Sequence, residues 1–213
     1  RLSDMAIESV NPATGEKIKA YPEMSASEVE AILQKADQAF SAWRRSSFSD
    51  RARVLQKVAA GLRRDKHDYA ALMAQEMGKP LAQGQSEADK CAWVCDYYAE
   101  NAEKFLSPEL VPTDASKSFV TFEPMVIVLA IMPWNFPFWQ VIRFAAPALM
   151  AGNAVLLKHA SNVPGCALAI EELFRQSELP QGLFRTLLVE SDRVASLINH
   201  PAVRAVTLTG STL

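Results

Sequence analysis

The chain has 213 residues, 49% of them apolar and 22% charged, the make-up of an ordinary globular protein with one good core or two small ones. A formal net charge of −2 leaves no basic surplus for neutralising the phosphates of a nucleic acid. Three cysteines make no disulfide framework, so a disordered chain, a nucleic-acid binder and a disulfide scaffold are set aside in favour of a reducing compartment, the cytoplasm.

Arg1 to Met5 carries no apolar run of the signal-peptide kind, so no export is expected. Asn11-Pro12-Ala13-Thr14-Gly15 is a turn signal between two short extended runs, Ile7 to Val10 and Lys17 to Ala20, and predicts an opening hairpin. Ser25 with Glu28 makes a capping box, after which Val29, Leu33, Ala36, Phe40 and Trp43 recur at helical spacing. Ser47 with Asp50 opens a second helical region ending at Gly78-Lys79-Pro80, and a third helix is expected from about Gln83 to Phe105. Cys91 and Cys95, four apart on one helix, lack further metal ligands at workable spacing and read as core, as does Cys166. His67, His159 and His200 make no catalytic pattern.

Beyond Pro112 the texture changes. Phe119 to Glu123 alternates and is expected to rise into Val126 to Ile131, a β-branched and aliphatic run typical of a strand buried on both faces. Helices and strands then alternate: helix 138–150, strand 154–158, helix 164–176, strand 184–189, helix 193–199 and strand 202–209. That rhythm predicts an α/β fold, a parallel sheet with crossover helices preceded by a helical N-terminal segment. In such sheets ligands bind outside the carboxyl ends of the strands. Three of those ends hold the unusual residues: Pro133 to Pro137, Lys158 to Ser161, and Thr209 to Thr212.

The 34 residues from Pro124 to Leu157 carry one formal charge, Arg143. The uncharged stretch before it is long enough to span a bilayer but fails on content, since Pro124, Pro133 and Pro137 break a helix and Asn135 and Gln140 are polar. A buried, unpaired guanidinium would cost several kcal/mol, so Arg143 is expected to meet an anion, either a ligand's or an internal Asp or Glu. Asn135 is held either as an oxyanion donor or as a turn residue bonding its own backbone. Lys158 suits nucleotide hydroxyls or phosphate, or else solvent. Thr209-Gly210-Ser211-Thr212 suits a pyrophosphate, though it is also ordinary turn chemistry.

Taken together these residues resemble the aldehyde dehydrogenase superfamily. Asn11 to Gly15, Glu76 to Pro80, Met132-Pro133-Trp134-Asn135-Phe136-Pro137, Lys158 and Thr209-Gly210-Ser211 occur in the family's order and near its spacing. The resemblance implies that Asn135 belongs to the oxyanion hole and that Trp134 lines the cofactor site. It further implies that the block Lys158, His159, Ala160 and Ser161 holds the adenosine end of NAD or NADP, with Lys158 on the ribose, and that Gly210 and Ser211 hold the pyrophosphate. Ser161 stands where many NAD-preferring members carry a glutamate that repels a 2′-phosphate, which permits NADP. Arg143, eight residues or about 12 Å along a regular helix from Asn135, matches an arginine that binds the substrate carboxylate in bacterial succinate-semialdehyde dehydrogenases.

By the same resemblance, residues 1–213 form the N-terminal NAD(P)-binding portion of such an enzyme. Residues 107–123 form an oligomerisation arm of a homodimer or homotetramer, and the nucleophilic cysteine and general-base glutamate fall beyond Leu213, so the chain alone is expected to be inactive. The rivals are a non-catalytic nucleotide-binding or oligomerisation module, a relative using acyl phosphate or CoA chemistry, and an aldehyde dehydrogenase of another specificity.

Overall fold

The computed structural model describes residues 6–210. A hairpin of β1 (Ala6–Val10) and β2 (Lys17–Pro22) opens the chain, closed by the turn in which Gly15 takes φ +73°. Four helices follow: α1 (Ala26–Trp43), α2 (Phe48–Arg64), α3 (Lys66–Met77) and α4 (Leu81–Phe105). The capping box forms as expected, Ser25 accepting from the Glu28 N–H and Glu28 from the Ser25 N–H. The helical region after Ser47 divides at Asp65, whose backbone leaves the helical basin at φ −102°, ψ 15°, closing α2 and opening α3. Gly78, in the left-handed region at φ +73°, ends α3 as its position before Lys79-Pro80 requires.

The expectation that residues 119–123 run directly into the buried strand is corrected. Phe119–Val120 (β4) pairs antiparallel with Glu109–Leu110 (β3) in a separate two-stranded arm, both strands exposed. Val126, a β-branched residue at φ +105°, breaks the extended path before the sheet begins.

The sheet is made of β5 (Ile127–Met132), β6 (Ala154–His159), β7 (Phe184–Thr186) and β8 (Val203–Leu208), all parallel, in the order β7-β6-β5-β8. The crossovers are α5 (Trp139–Met150), α6 (Pro164–Gln176) and α7 (Val194–Ile198), the last preceded by a 3₁₀ turn, Ser191–Arg193. The strand expected over 184–189 stops at Thr186, and the helix expected over 193–199 is a short one.

Every residue of β6 is buried, and every residue of β5 except Ile131. Full burial of an aliphatic side chain such as Leu129, Leu156 or Leu157 contributes about 1.5–3 kcal/mol, which the alternating, half-exposed β8 gains far less of. Among the described residues no helix is long and apolar enough to cross a membrane.

This strand order matters for function. The chain winds from β5 outward through β6 to β7, then returns to place β8 on the other side of β5. The strand order thus reverses at β5, and the carboxyl ends of β5 and β8 frame the crevice where open α/β sheets take ligands.

Candidate active site

Two strand ends meet at that crevice. Thr209 N–H donates to the Ile131 carbonyl at 3.0 Å, which holds the Thr209-Gly210 turn beside the Pro133 to Pro137 loop. Pro133, Trp134, Asn135, Gln140, Thr209 and Gly210 line an open cleft of about 350 Å³. Trp134 and Asn135 are exposed in it, whereas Pro137 and Phe138 are buried beneath. Gln140 Oε1 is buried there with no hydrogen-bond partner among the described residues. Ser211 lies outside the described residues.

Arg143 projects from the second turn of α5, and Nη2 donates to Thr209 Oγ1 at 3.2 Å. It lines an adjoining hollow of about 390 Å³ with Val94, Tyr98, Met132, Trp139, Phe144 and Thr207. The side chain is exposed, which corrects the expectation of a guanidinium buried in an apolar run. The apolar face of α5 is formed by Val141, Ile142, Ala145, Ala146 and Leu149, and position 143 falls off it. No buried charge therefore demands a partner; Thr209 joins Arg143 to the Asn135 cleft.

Along the same sheet edge, Lys158 and His159 end β6 and pair in register with Ile131 and Met132. Lys158 is 5% exposed, with its ammonium 3.5 Å from Ser191 Oγ. Burial holds its pKa below the ordinary lysine value, and the Glu190 carboxylate offsets part of that. Ala160 and Ser161 begin the turn into α6, Ser161 exposed.

His159 differs from them in having its ring turned into the core and held by backbone groups. Its ring is buried, Nδ1 accepting from the Ala160 N–H at 2.9 Å and Nε2 donating to the Pro137 carbonyl at 2.9 Å. Those two bonds select the neutral Nε2–H tautomer, in which the Met132 carbonyl, 3.2 Å from Nδ1, is a close contact without a shared proton. Desolvation lowers its pKa to about 4.

The unfolded chain, with the ordinary value near 6.5, takes up this proton first as pH falls. The stabilisation is thus present above the unfolded value and lost as pH drops toward the folded one, on the order of 3 kcal/mol in all. Denaturant unfolding of the full-length protein at neutral and mildly acid pH measures it. His159→Gln is expected to flatten that pH slope, and an unchanged slope would remove the assignment to His159.

The sequence reading missed what holds the loop in place. α5 has no side-chain cap of its own; instead Glu87 of α4 reaches across, Oε1 accepting from the Phe138 and Trp139 N–H groups at 2.9 Å each. Its other oxygen pairs with Lys79 at 2.5 Å, and Lys79 Nζ lies 3.8 Å from the centre of the Phe136 ring. Glu76 of α3 serves α6 in the same way, accepting from the N–H groups of Gly165 and Cys166 at 2.9 and 2.8 Å and from Ser9 Oγ at 2.7 Å.

A carboxylate at each helix N-terminus satisfies orphan donors and favours the dipole. A signal for Glu87 existed in the sequence. It falls on the buried stripe Gly84, Ala88, Cys91, Ala92 and Cys95, where an unpaired acid is not tolerated.

The three thiols are buried, and burial pushes each pKa well up, so none is an activated nucleophile. No group of three or more metal-binding side chains occurs among the described residues.

The sequence model described as the aldehyde dehydrogenase family matches residues 2–213. The chain belongs to the aldehyde dehydrogenase family. It is 50% identical over 207 residues to the probable succinate-semialdehyde dehydrogenase (NADP(+)) of Synechocystis sp., covering 97% of this chain and 46% of the relative. It is 47% identical over 212 residues to succinate-semialdehyde dehydrogenase (NADP(+)) 1 of Mycobacterium tuberculosis, with the same coverage. Among solved structures, succinic semialdehyde dehydrogenase from Streptococcus pyogenes, in complex with NADP+, superposes with a TM-score of 0.90 at 33% identity. That superposition covers 93% of this chain and 44% of the other. The chain thus spans about half the length of the curated relatives it matches.

Proposed function

We propose that the full-length protein oxidises succinate semialdehyde, or a closely similar acidic aldehyde, to the carboxylic acid with NADP or NAD. The observation that carries the reading is the Arg143–Thr209 hydrogen bond, because Thr209 also lines the cleft with Asn135. A guanidinium donor fork and an amide N–H₂ thereby serve one crevice from two walls. Asn135 donates to the oxygen that gains charge as the aldehyde carbon becomes tetrahedral. Arg143 binds the distal carboxylate, a fork-to-carboxylate geometry that fixes orientation as well as charge.

The residues along the sheet edge fit a dinucleotide. Lys158 has no carboxylate within ion-pair distance among the described residues, and its three donors suit ribose hydroxyls or phosphate. Ser161 contributes a hydroxyl where a carboxylate would repel a 2′-phosphate, Ala160 supplies backbone beside it, Gly210 and Ser211 attend the pyrophosphate, and Trp134 lines the nicotinamide end. When bound, the cofactor accepts the hydride.

In this reading, residues 1–213 are the cofactor-binding portion and are inactive alone. The arm, with Leu110, Val111, Phe119, Val120 and Phe122 exposed, joins subunits of a homodimer or homotetramer. The free cysteines suit a cytoplasmic protein.

Full-length protein given succinate semialdehyde is expected to generate reduced cofactor, faster with NADP+ than with NAD+. Ser161→Glu is expected to reverse that order by weakening NADP+ use at least tenfold. No reduced cofactor from either would overturn the activity, and an unchanged cofactor order would overturn the role of Ser161.

A further inference from the structure

We infer that Glu87 is a positioning residue for Asn135, setting the loop that carries the amide from outside the cleft. This inference rests on the oxyanion reading of Asn135. Its basis is how the loop is held.

Asn135 is exposed, and its own side chain makes no hydrogen bond among the described residues, so its place depends on its neighbours. Those neighbours are fixed one after another. The Phe136 ring lies under the Lys79 ammonium, the Pro137 carbonyl accepts from His159, and the Phe138 and Trp139 N–H groups end on Glu87. Two of these three restraints trace to the buried Lys79–Glu87 pair, with side chains 4% and 2% exposed.

Glu87 is also the only cap that α5 has from a side chain among the described residues. A helix entry that loses its acceptor exposes two N–H groups to an apolar surround, and the turn before it must shift to satisfy them. Asn135 lies within that turn. Because an oxyanion donor works only when it already points at the developing charge, a small displacement of the turn reduces transition-state stabilisation and leaves ground-state binding largely intact.

The test uses full-length enzyme, with Glu87→Gln, Asn135→Ala and the double variant assayed on succinate semialdehyde. Glu87→Gln keeps the volume and one acceptor oxygen but weakens the bonds to the two N–H groups. It is expected to lower kcat about tenfold or more while KM and cofactor affinity stay within about twofold. In the Asn135→Ala background the same change is expected to lower kcat by less than about threefold, since the amide it would misplace is gone.

A Glu87→Gln enzyme with wild-type kcat would overturn the inference, as would losses that multiply in the double variant. If Glu87→Gln fails to fold, the paired exchange Lys79→Gln with Glu87→Gln leaves no buried charge uncompensated and is read by the same two criteria. Full kcat in Asn135→Ala itself would instead overturn the oxyanion reading, so the two failures are distinguishable.

Discussion

Asn135→Ala in the full-length enzyme is expected to lower kcat by about 10²–10³-fold, the loss typical of removing one preorganised oxyanion donor, about 2.7–4 kcal/mol of barrier. The loop geometry supports a loss of this size. Asn135 stands in a turn whose following residues, Pro137 to Trp139, bond to buried groups, so little reorganisation accompanies the reaction, and alanine leaves those supports untouched. KM for the aldehyde is expected to change little, because the amide meets its strongest partner only when charge has developed on the oxygen. Steady-state kinetics with thermal unfolding as a control decides it. A kcat within threefold of wild type would show that the backbone alone forms the oxyanion site.

Arg143→Leu is expected to raise KM for succinate semialdehyde about 10- to 150-fold, matching about 1.5–3 kcal/mol for a hydrogen bond to a charged group. For an uncharged aldehyde of similar length the change is expected to stay within about threefold. In this chain the guanidinium is exposed and, among the described residues, bonds only Thr209, so its removal creates no buried unpaired partner there. A stability loss is therefore not the expected route of its effect. Equal changes in KM for both aldehydes would dismiss the carboxylate contact.

Much of the fold could be read because local and long-range signals agree. The β5 and β6 runs are aliphatic over almost their whole length and lie in the sheet's interior, and α6 begins at Pro164 as the proline at its first turn implies. The arm could not be read as separate, since Phe119 and Val120 have strand propensity and nothing local says that the backbone turns at Val126. At the site, the strand ends bearing Asn135, Lys158 and Gly210 were visible as chemistry following apolar runs. The roles of His159, Glu87 and Glu76 were not, because each acts on backbone N–H or carbonyl groups 22 to 90 residues away in sequence. Arg143 misled for a simple reason: an uncharged neighbourhood in sequence does not make a buried one in space.

Arg51 completes the pattern begun by the two glutamates. Its buried guanidinium donates to the Trp43 and Arg44 carbonyls at the end of α1 and to the Met150 carbonyl at the end of α5, and lies so close to Gly152 that a Cβ there would stand 3.1 Å from Nη2. α5 is thus held by an anion at its positive end and a cation at its negative end, both from helices earlier in the chain. α1 to α4 precede every strand of the four-stranded sheet in the chain, so Arg51, Glu76 and Glu87 are synthesised before the α5 and α6 termini they bind. The order of synthesis therefore leaves these charges without those partners until the later helices follow.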